Sequence, residues 1–170
     1  WITFRMRAML VSFASYDLWL DWRKTGYHIA QTFTDYEPGI HYSQLQMQSG
    51  VTGINTVRIY NPIKQSYDHD LHGIFIKKWV PELKNISETW IHEPWKMELS
   101  TQRTTKCIIG RNYPAPIVDH TISIKKARLR IAEIIKKDGY KDKSKVVLNK
   151  MGSRKRTKTS KNINPQLQLL

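Results

Sequence analysis

Two arginines, Arg5 and Arg7, stand two residues apart in Trp1-Ile-Thr-Phe-Arg5-Met-Arg7, at the head of a long apolar stretch. On a helix such a pair points in different directions, so one guanidinium can face a ligand while the other faces inward. A guanidinium held near a core wants a carboxylate or an anionic group, gripped bidentately. The plainer reading is two surface or ion-paired arginines. Further on, Asp35-Tyr36-Glu37-Pro38-Gly39-Ile40-His41 gathers two carboxylates, a permissive glycine and an imidazole. These carboxylates could cap a helix. They could instead bind a heterocycle or ribose and pair with Arg7, or divide acid and base roles as in a hydrolase. Spacing leaves all three open.

Other candidates are thinner. His69 and His72 flank Asp70 at a spacing a metal would accept, but no third ligand stands out, and exposed helix-start histidines explain them equally. Cys107, among Thr105, Ile108 and Ile109, reads as core before nucleophile. As the single cysteine it excludes an internal disulfide framework and any multi-cysteine zinc or iron–sulfur site in this chain. No phosphate-cradling glycine loop, nucleophile elbow or zinc-protease helix occurs. Six tryptophans, at 1, 19, 22, 79, 90 and 95, are explained by packing. Beside a redox cofactor, one or two could also relay electrons.

The elements that must position these residues read as helices. Arg5 to about Lys24 contains no Pro or Gly, and Met6, Met9, Leu10, Phe13, Tyr16 and Leu20 recur at three- and four-residue steps. The pattern predicts one central helix, ended by Gly26, and a second from Tyr27 to Thr34. From Pro38 to Asn61, three glycines and the alternating Gln44, Gln46 and Gln48 predict short helical turns. Thr56 to Tyr60 alternates weakly like a strand, and Asn61-Pro62 marks a turn. Asp70 to Leu83 is an amphipathic helix kinked or restarted at Pro81. Residues 92 to 118 are loop-rich, and Thr121 to Lys137 is a helix closed by Gly139. A short helix from Lys143 to Lys150 precedes Arg154-Lys155-Arg156 and a polar, disordered tail. The fold class is all-α.

At 170 residues and 40% hydrophobic, the chain has one core's worth of apolar side chains. Its net charge of +14 is unevenly placed: fifteen Lys/Arg oppose three acids from Thr121 onward, but thirteen oppose eleven before it. A nucleic-acid site in the first two-thirds must therefore rest on a few placed arginines. No membrane-length apolar run or leader occurs, so the expected setting is intracellular, reducing and cytoplasmic. The start at Trp1, without Met, reads as a fragment of a longer product.

Eight segments occur in a characteristic order. They are the opening Trp1 to Leu10, Asp21-Trp22-Arg23, Asp35 to His41, Arg58-Ile-Tyr-Asn-Pro62, Phe75 to Leu83, His92-Glu-Pro-Trp95, Tyr113 to His120 and Lys126-Ala-Arg128. In this the chain closely resembles the C-terminal part of the FAD-binding domain of the DNA photolyase/cryptochrome family, from Trp1 to about Arg156. The resemblance implies a helical flavin-binding domain over 1–139 and a basic short helix and tail over 140–170. It also implies light-driven repair of pyrimidine dimers in DNA by electron transfer from reduced FAD. The alternative is a cryptochrome-like blue-light photoreceptor without repair. The implied partners are DNA containing such dimers and the missing N-terminal portion of the same protein. With that portion missing, the isolated polypeptide is expected to hold FAD weakly or not at all.

Site residues follow from the same resemblance. Arg7 matches the arginine beside the flavin ring and Asp35 its carboxylate partner, with Glu37 and His41 as further cofactor contacts. Trp1, Arg5 and Arg58 match the DNA face. Trp22 matches the middle member of the tryptophan relay that re-reduces the flavin. There are departures. Phe4 replaces an asparagine that many photolyases use, and His41 or a close neighbour replaces the asparagine facing the flavin N5. Tyr42-Ser-Gln-Leu45 carries no relay tryptophan, which leaves Tyr42 as the relay substitute.

Overall fold

The computed structural model describes residues 2–152; eight α-helices and a few single turns span them, and no strand forms beyond one isolated bridge, Ile109 to Tyr113. The all-α expectation holds. Helix α1 (Phe4–Ser12) starts at Thr3, whose hydroxyl accepts the Met6 N–H at 3.4 Å. It does not run on to Lys24 as the periodicity predicts. It widens into a π turn, Phe13–Asp17, where Leu18 N–H reaches back to Phe13 O and Leu20 N–H to Ala14 O. The chain then breaks at Trp19, whose φ of 53° is left-handed. Helix α2 (Trp22–Thr32) restarts under Asp21, whose carboxylate accepts the Arg23 N–H at 3.0 Å. Hydrophobic periodicity does not register this cap, because apolar residues continue straight through the break.

Gly26 does not end a helix. It lies buried inside α2, where a Cβ would come within 2.5 Å of Leu45 Cδ1, so its bareness lets α3 cross closely. Helix α3 (Pro38–Gln48) is continuous, not a series of turns, because Glu37 caps it and Pro38 occupies its first position. The segment expected as a strand, 56–60, is a loop laid against α1, with Tyr60 N–H donating to Ser12 Oγ at 3.1 Å. Asn61-Pro62 is a cap plus first helical residue, opening α4 (Pro62–His69).

The helix expected over 70–83 shortens to α5 (Ile74–Trp79), because the Asp70 carboxylate caps it from outside by accepting from Phe75 N and Ile76 N. Pro81 restarts the chain as a 3₁₀ turn, Pro81–Leu83. The loop-rich stretch contains one short helix, α6 (Leu99–Thr104). Helix α7 (His120–Lys136) sits within a residue of its expected bounds, capped by Asp119. Gly139, at φ 78°, joins it to α8 (Tyr140–Met151), which is longer than expected and is tied to the body by Ser144 Oγ donating to Gly53 O at 2.6 Å. Arg154-Lys155-Arg156 and the tail lie outside the described residues, as does Trp1.

Three apolar clusters hold the fold. Val11, Ile29 and Leu45 join α1, α2 and α3, with Trp22, Phe33 and Tyr42 packed on them. Tyr16, Ile124 and Ala127 seat α7 on the π turn. Leu83, Ile86, Ile91, Met97 and Cys107 form the third, so Cys107 is a core residue. Asp17, fully buried on the π turn, takes the His120 N–H at 2.5 Å and pins the start of α7. Burial raises the Asp17 pKa, and the His120 hydrogen bond and charge offset only part of that rise.

Candidate functional site

The α1–α2–α3 cluster is one wall of a cavity of about 270 Å³. Arg7 enters it from the first turn of α1, Phe33 from the end of α2, and Asp35 from the loop between α2 and α3. Helix α3 contributes a face at three- and four-residue steps: His41, Gln44, Leu45 and Gln48.

The anchor is an ion pair. Arg7 Nη2 lies 2.9 Å from Asp35 Oδ1, its Nε–H donates to the Ile2 carbonyl at 3.3 Å, and its guanidinium sits 4.4 Å from the Phe33 ring centroid. Ion pair, carbonyl and ring face together fix the plane of the guanidinium. Hydrogen bonding from Arg7, reinforced by its charge, holds the Asp35 carboxyl below its usual range. Arg7 is only 21% exposed against 42% for Asp35, so the cation is the better shielded of the two.

Glu37 fulfils its simplest role, accepting the Ile40 N–H at 2.7 Å as the cap of α3 while also lining the cavity. His41 donates Nε2–H to the Gly26 carbonyl at 2.9 Å, so the neutral ring keeps Nδ1 as an acceptor. Its ring meets Phe33, Tyr36 and Tyr42 edge to face, at 6.1, 5.2 and 5.1 Å. The Tyr36 phenol is pushed up, first by its hydrogen bond with Tyr42, then by burial and the nearby Glu37 charge.

Arg7, Asp35, Glu37 and His41 are thus brought to one cavity, as the sequence indicated. Trp22 and Tyr42 are not at its surface; both pack on the Val11–Ile29–Leu45 cluster behind it. Arg5 points elsewhere, donating to Gln65 Oε1 on α4 at 3.3 Å. Arg58 is exposed and lines a separate groove with Arg128 of α7. Phe4, 61% exposed, stands at the cavity's edge. His72 donates to Glu88 at 2.8 Å, and among the described residues no three ligating side chains converge on a metal position.

Two residues were missed. Gln48 is buried at the cavity wall, and Gln44 Oε1 is buried there with no hydrogen-bond partner. The signal was present: 41, 44 and 48 share one helical face, whereas reading 44, 46 and 48 as alternation assumed the wrong period. Gln46 is accordingly exposed. An unmet buried acceptor beside a fixed guanidinium suits a ring that carries both an N–H edge and negative charge, as a reduced flavin does. The residues present fit that group.

Residues 1–133 match the family model for the FAD binding domain of DNA photolyase. A deoxyribodipyrimidine photo-lyase of Alkalihalophilus pseudofirmus is 36% identical over 129 residues, covering 75% of this chain and 27% of that protein. A bacterial class III photolyase from Agrobacterium tumefaciens superposes with a TM-score of 0.72 at 30% identity, over 78% of this chain and 28% of that one. A Synechocystis cryptochrome gives the same TM-score at 28% identity, over 76% and 27%. The chain therefore spans about a quarter of the length of the relatives it matches. With its helical fold, its arginine–carboxylate pair and its match to the FAD-binding model, the chain belongs to the DNA photolyase/cryptochrome family.

Proposed function

We propose that this chain forms part of the flavin pocket and DNA face of a light-driven enzyme that repairs pyrimidine dimers. The Arg7–Asp35 pair on the cavity wall carries this reading, because a fixed, shielded cation is what an electron-rich flavin ring requires. When bound, reduced FAD supplies the light absorption and the electron that splits the dimer.

The chain's own residues then have distinct tasks. Arg7 holds the ring's negative edge, and Asp35 keeps the guanidinium in plane. Gln44 Oε1 would accept a ring N–H, and His41, held by the Gly26 carbonyl, would offer Nδ1 to the same group. Glu37 keeps α3 started at the height that places both. Trp22 and Tyr42, packed on the cluster behind the cavity, would be the electron relay to the bound cofactor. A lesion stacked in duplex DNA cannot reach a buried ring, so it must be flipped out. Trp1 and Arg5 would serve as its DNA-face contacts, Arg5 from the α4 side where it meets Gln65, and Arg58, beside Arg128, would hold a flanking phosphate.

A second reading, a photoreceptor without repair, is favoured by Phe4, an apolar side chain at the edge where a lesion would enter. One experiment separates the two. Residues 1–133 replace the matched segment of the Alkalihalophilus photolyase, and the chimaera is illuminated with a dimer-containing oligonucleotide. We expect flavin retained through gel filtration, blue-light repair, and flavin affinity about tenfold weaker or worse in Arg7→Leu. Arg58→Ala should weaken DNA binding and lower its salt slope by about one. Retained flavin without repair favours the photoreceptor; no retained flavin sinks both.

A further inference from the structure

A second cavity, of about 520 Å³, opens between the π turn, the 49–57 loop and α7, and shares no lining residue with the flavin cavity. Its volume is in the range of about 300–1,000 Å³ that holds small-molecule ligands. Two hydroxyls lie in its wall. Tyr16 is 3% exposed and Ser15 is 8% exposed, and neither Tyr16 OH nor Ser15 Oγ has a hydrogen-bond partner among the described residues. Buried hydroxyls without partners are uncommon and cost stability, so a pair of them in one cavity wall points to a ligand that satisfies both.

The surroundings define that ligand. Trp19, Trp22 and Tyr140 supply aromatic surfaces, and Ile134 and Ile135 of α7 supply an aliphatic one. Trp19 is 40% exposed, with the Arg130 guanidinium over one face of its ring, 4.9 Å from the centroid. The one charged side chain in the lining is Asp21, already gripped by Arg23 at 2.7 Å. The lining itself therefore presents no uncompensated charge. The Tyr16 hydroxyl sits beside Gly50, where a Cβ would come within 2.8 Å of its oxygen, so only glycine leaves room for it there. Burial pushes the Tyr16 phenol up to about 12, which keeps it a donor at any physiological pH.

We propose that this cavity binds an uncharged, planar aromatic molecule whose carbonyl oxygen accepts hydrogen bonds from Tyr16 and Ser15, with its rings against Trp19 and Trp22. The site is separate from the flavin cavity and does not depend on the repair reading.

Coumarin, which carries a ring carbonyl, and naphthalene, which has similar shape and no acceptor, are the probes. Each is titrated by equilibrium dialysis into the 170-residue chain and into Tyr16→Phe and Ser15→Ala. Tyr16→Phe keeps the ring that packs on Ile124 and Ala127, and Ser15→Ala removes one atom, so both keep the fold. We expect saturable one-to-one coumarin binding, tighter than naphthalene, that weakens about three- to tenfold in each variant while naphthalene is unchanged. Absence of saturable coumarin binding would overturn the proposal. So would equal binding of the two probes, or coumarin binding indifferent to both substitutions.

Discussion

Two regions of this small molecule treat buried polar groups in opposite ways. In the segment around Leu83, Ile86, Ile91 and Met97, the buried polar side chains are fully partnered. His92 Nδ1 accepts a hydrogen bond from the Ser66 hydroxyl (2.6 Å), and its Nε2–H donates to the Leu71 carbonyl (3.1 Å). Gln102 donates to Met97 O at 2.8 Å and accepts the Ile109 N–H at 2.9 Å. In the first fifty residues, Ser15, Tyr16, Asp17 and Gln44 each bury a polar atom with no partner, and no other described residue does so. Gln44 lines the Arg7–Asp35 cavity, and Ser15 and Tyr16 line the second one. A frame satisfies its own hydrogen bonds, whereas a binding region keeps some open for its ligand at a cost in stability.

Substitutions can break or sharpen this contrast. The largest effect belongs to the frame's core: Ile86→Ala, at a site 1% exposed, should cost about 2–5 kcal/mol in urea unfolding. A cost near zero would show that the 83–107 cluster is not a packed core. Next is a matched pair of glutamines, measured without flavin. Gln102→Leu strands the Ile109 N–H and the Met97 carbonyl, at about 1–3 kcal/mol for each group left unpaired. Gln44→Leu removes an acceptor that has no partner, so it should be neutral or stabilising. Equal losses from the two would erase the distinction between frame and site.

The smallest effect is in pH dependence. The Arg7 hydrogen bond holds the folded Asp35 carboxyl below its unfolded value, so the pair's contribution is complete above that value and fades as pH falls through the folded pKa. The stability gap between the wild type and Asp35→Asn should therefore be widest near neutrality and close in acid. A gap that widened in acid would mean that the carboxyl is not held ionised by Arg7.

Legibility from sequence followed the range of the interaction. Helix α7 was read nearly to the residue, because periodicity and the Asp119 cap are both local signals. The long α1 reading failed at Trp19 because Asp21 capping and the π turn interrupt a run whose hydrophobicity never falters. Gly26 was misread as a stop because its purpose is a neighbour nineteen residues away, the Leu45 side chain. At the site, Arg7, Asp35, Glu37 and His41 were identified by resemblance, and their side chains do meet at one cavity. Gln44 was missed because the glutamines were taken with a period of two and not along one face of α3, and its unmet hydrogen bond shows only once its environment is known.

The sequence alone determined the residue types: an arginine and a carboxylate suited to an anionic ring, an all-helical pattern, and a basic final third. Composition and local periodicity are properties of neighbours along the chain, so they can be read without coordinates. Only the tertiary structure decided that Arg7 reaches Asp35 across 28 positions, that α3 turns Gln44 inward and Gln46 outward, and that Tyr16 and Ser15 keep their hydroxyls unspent. These outcomes depend on which surfaces exclude water together, and burial of that kind is set by packing between distant segments.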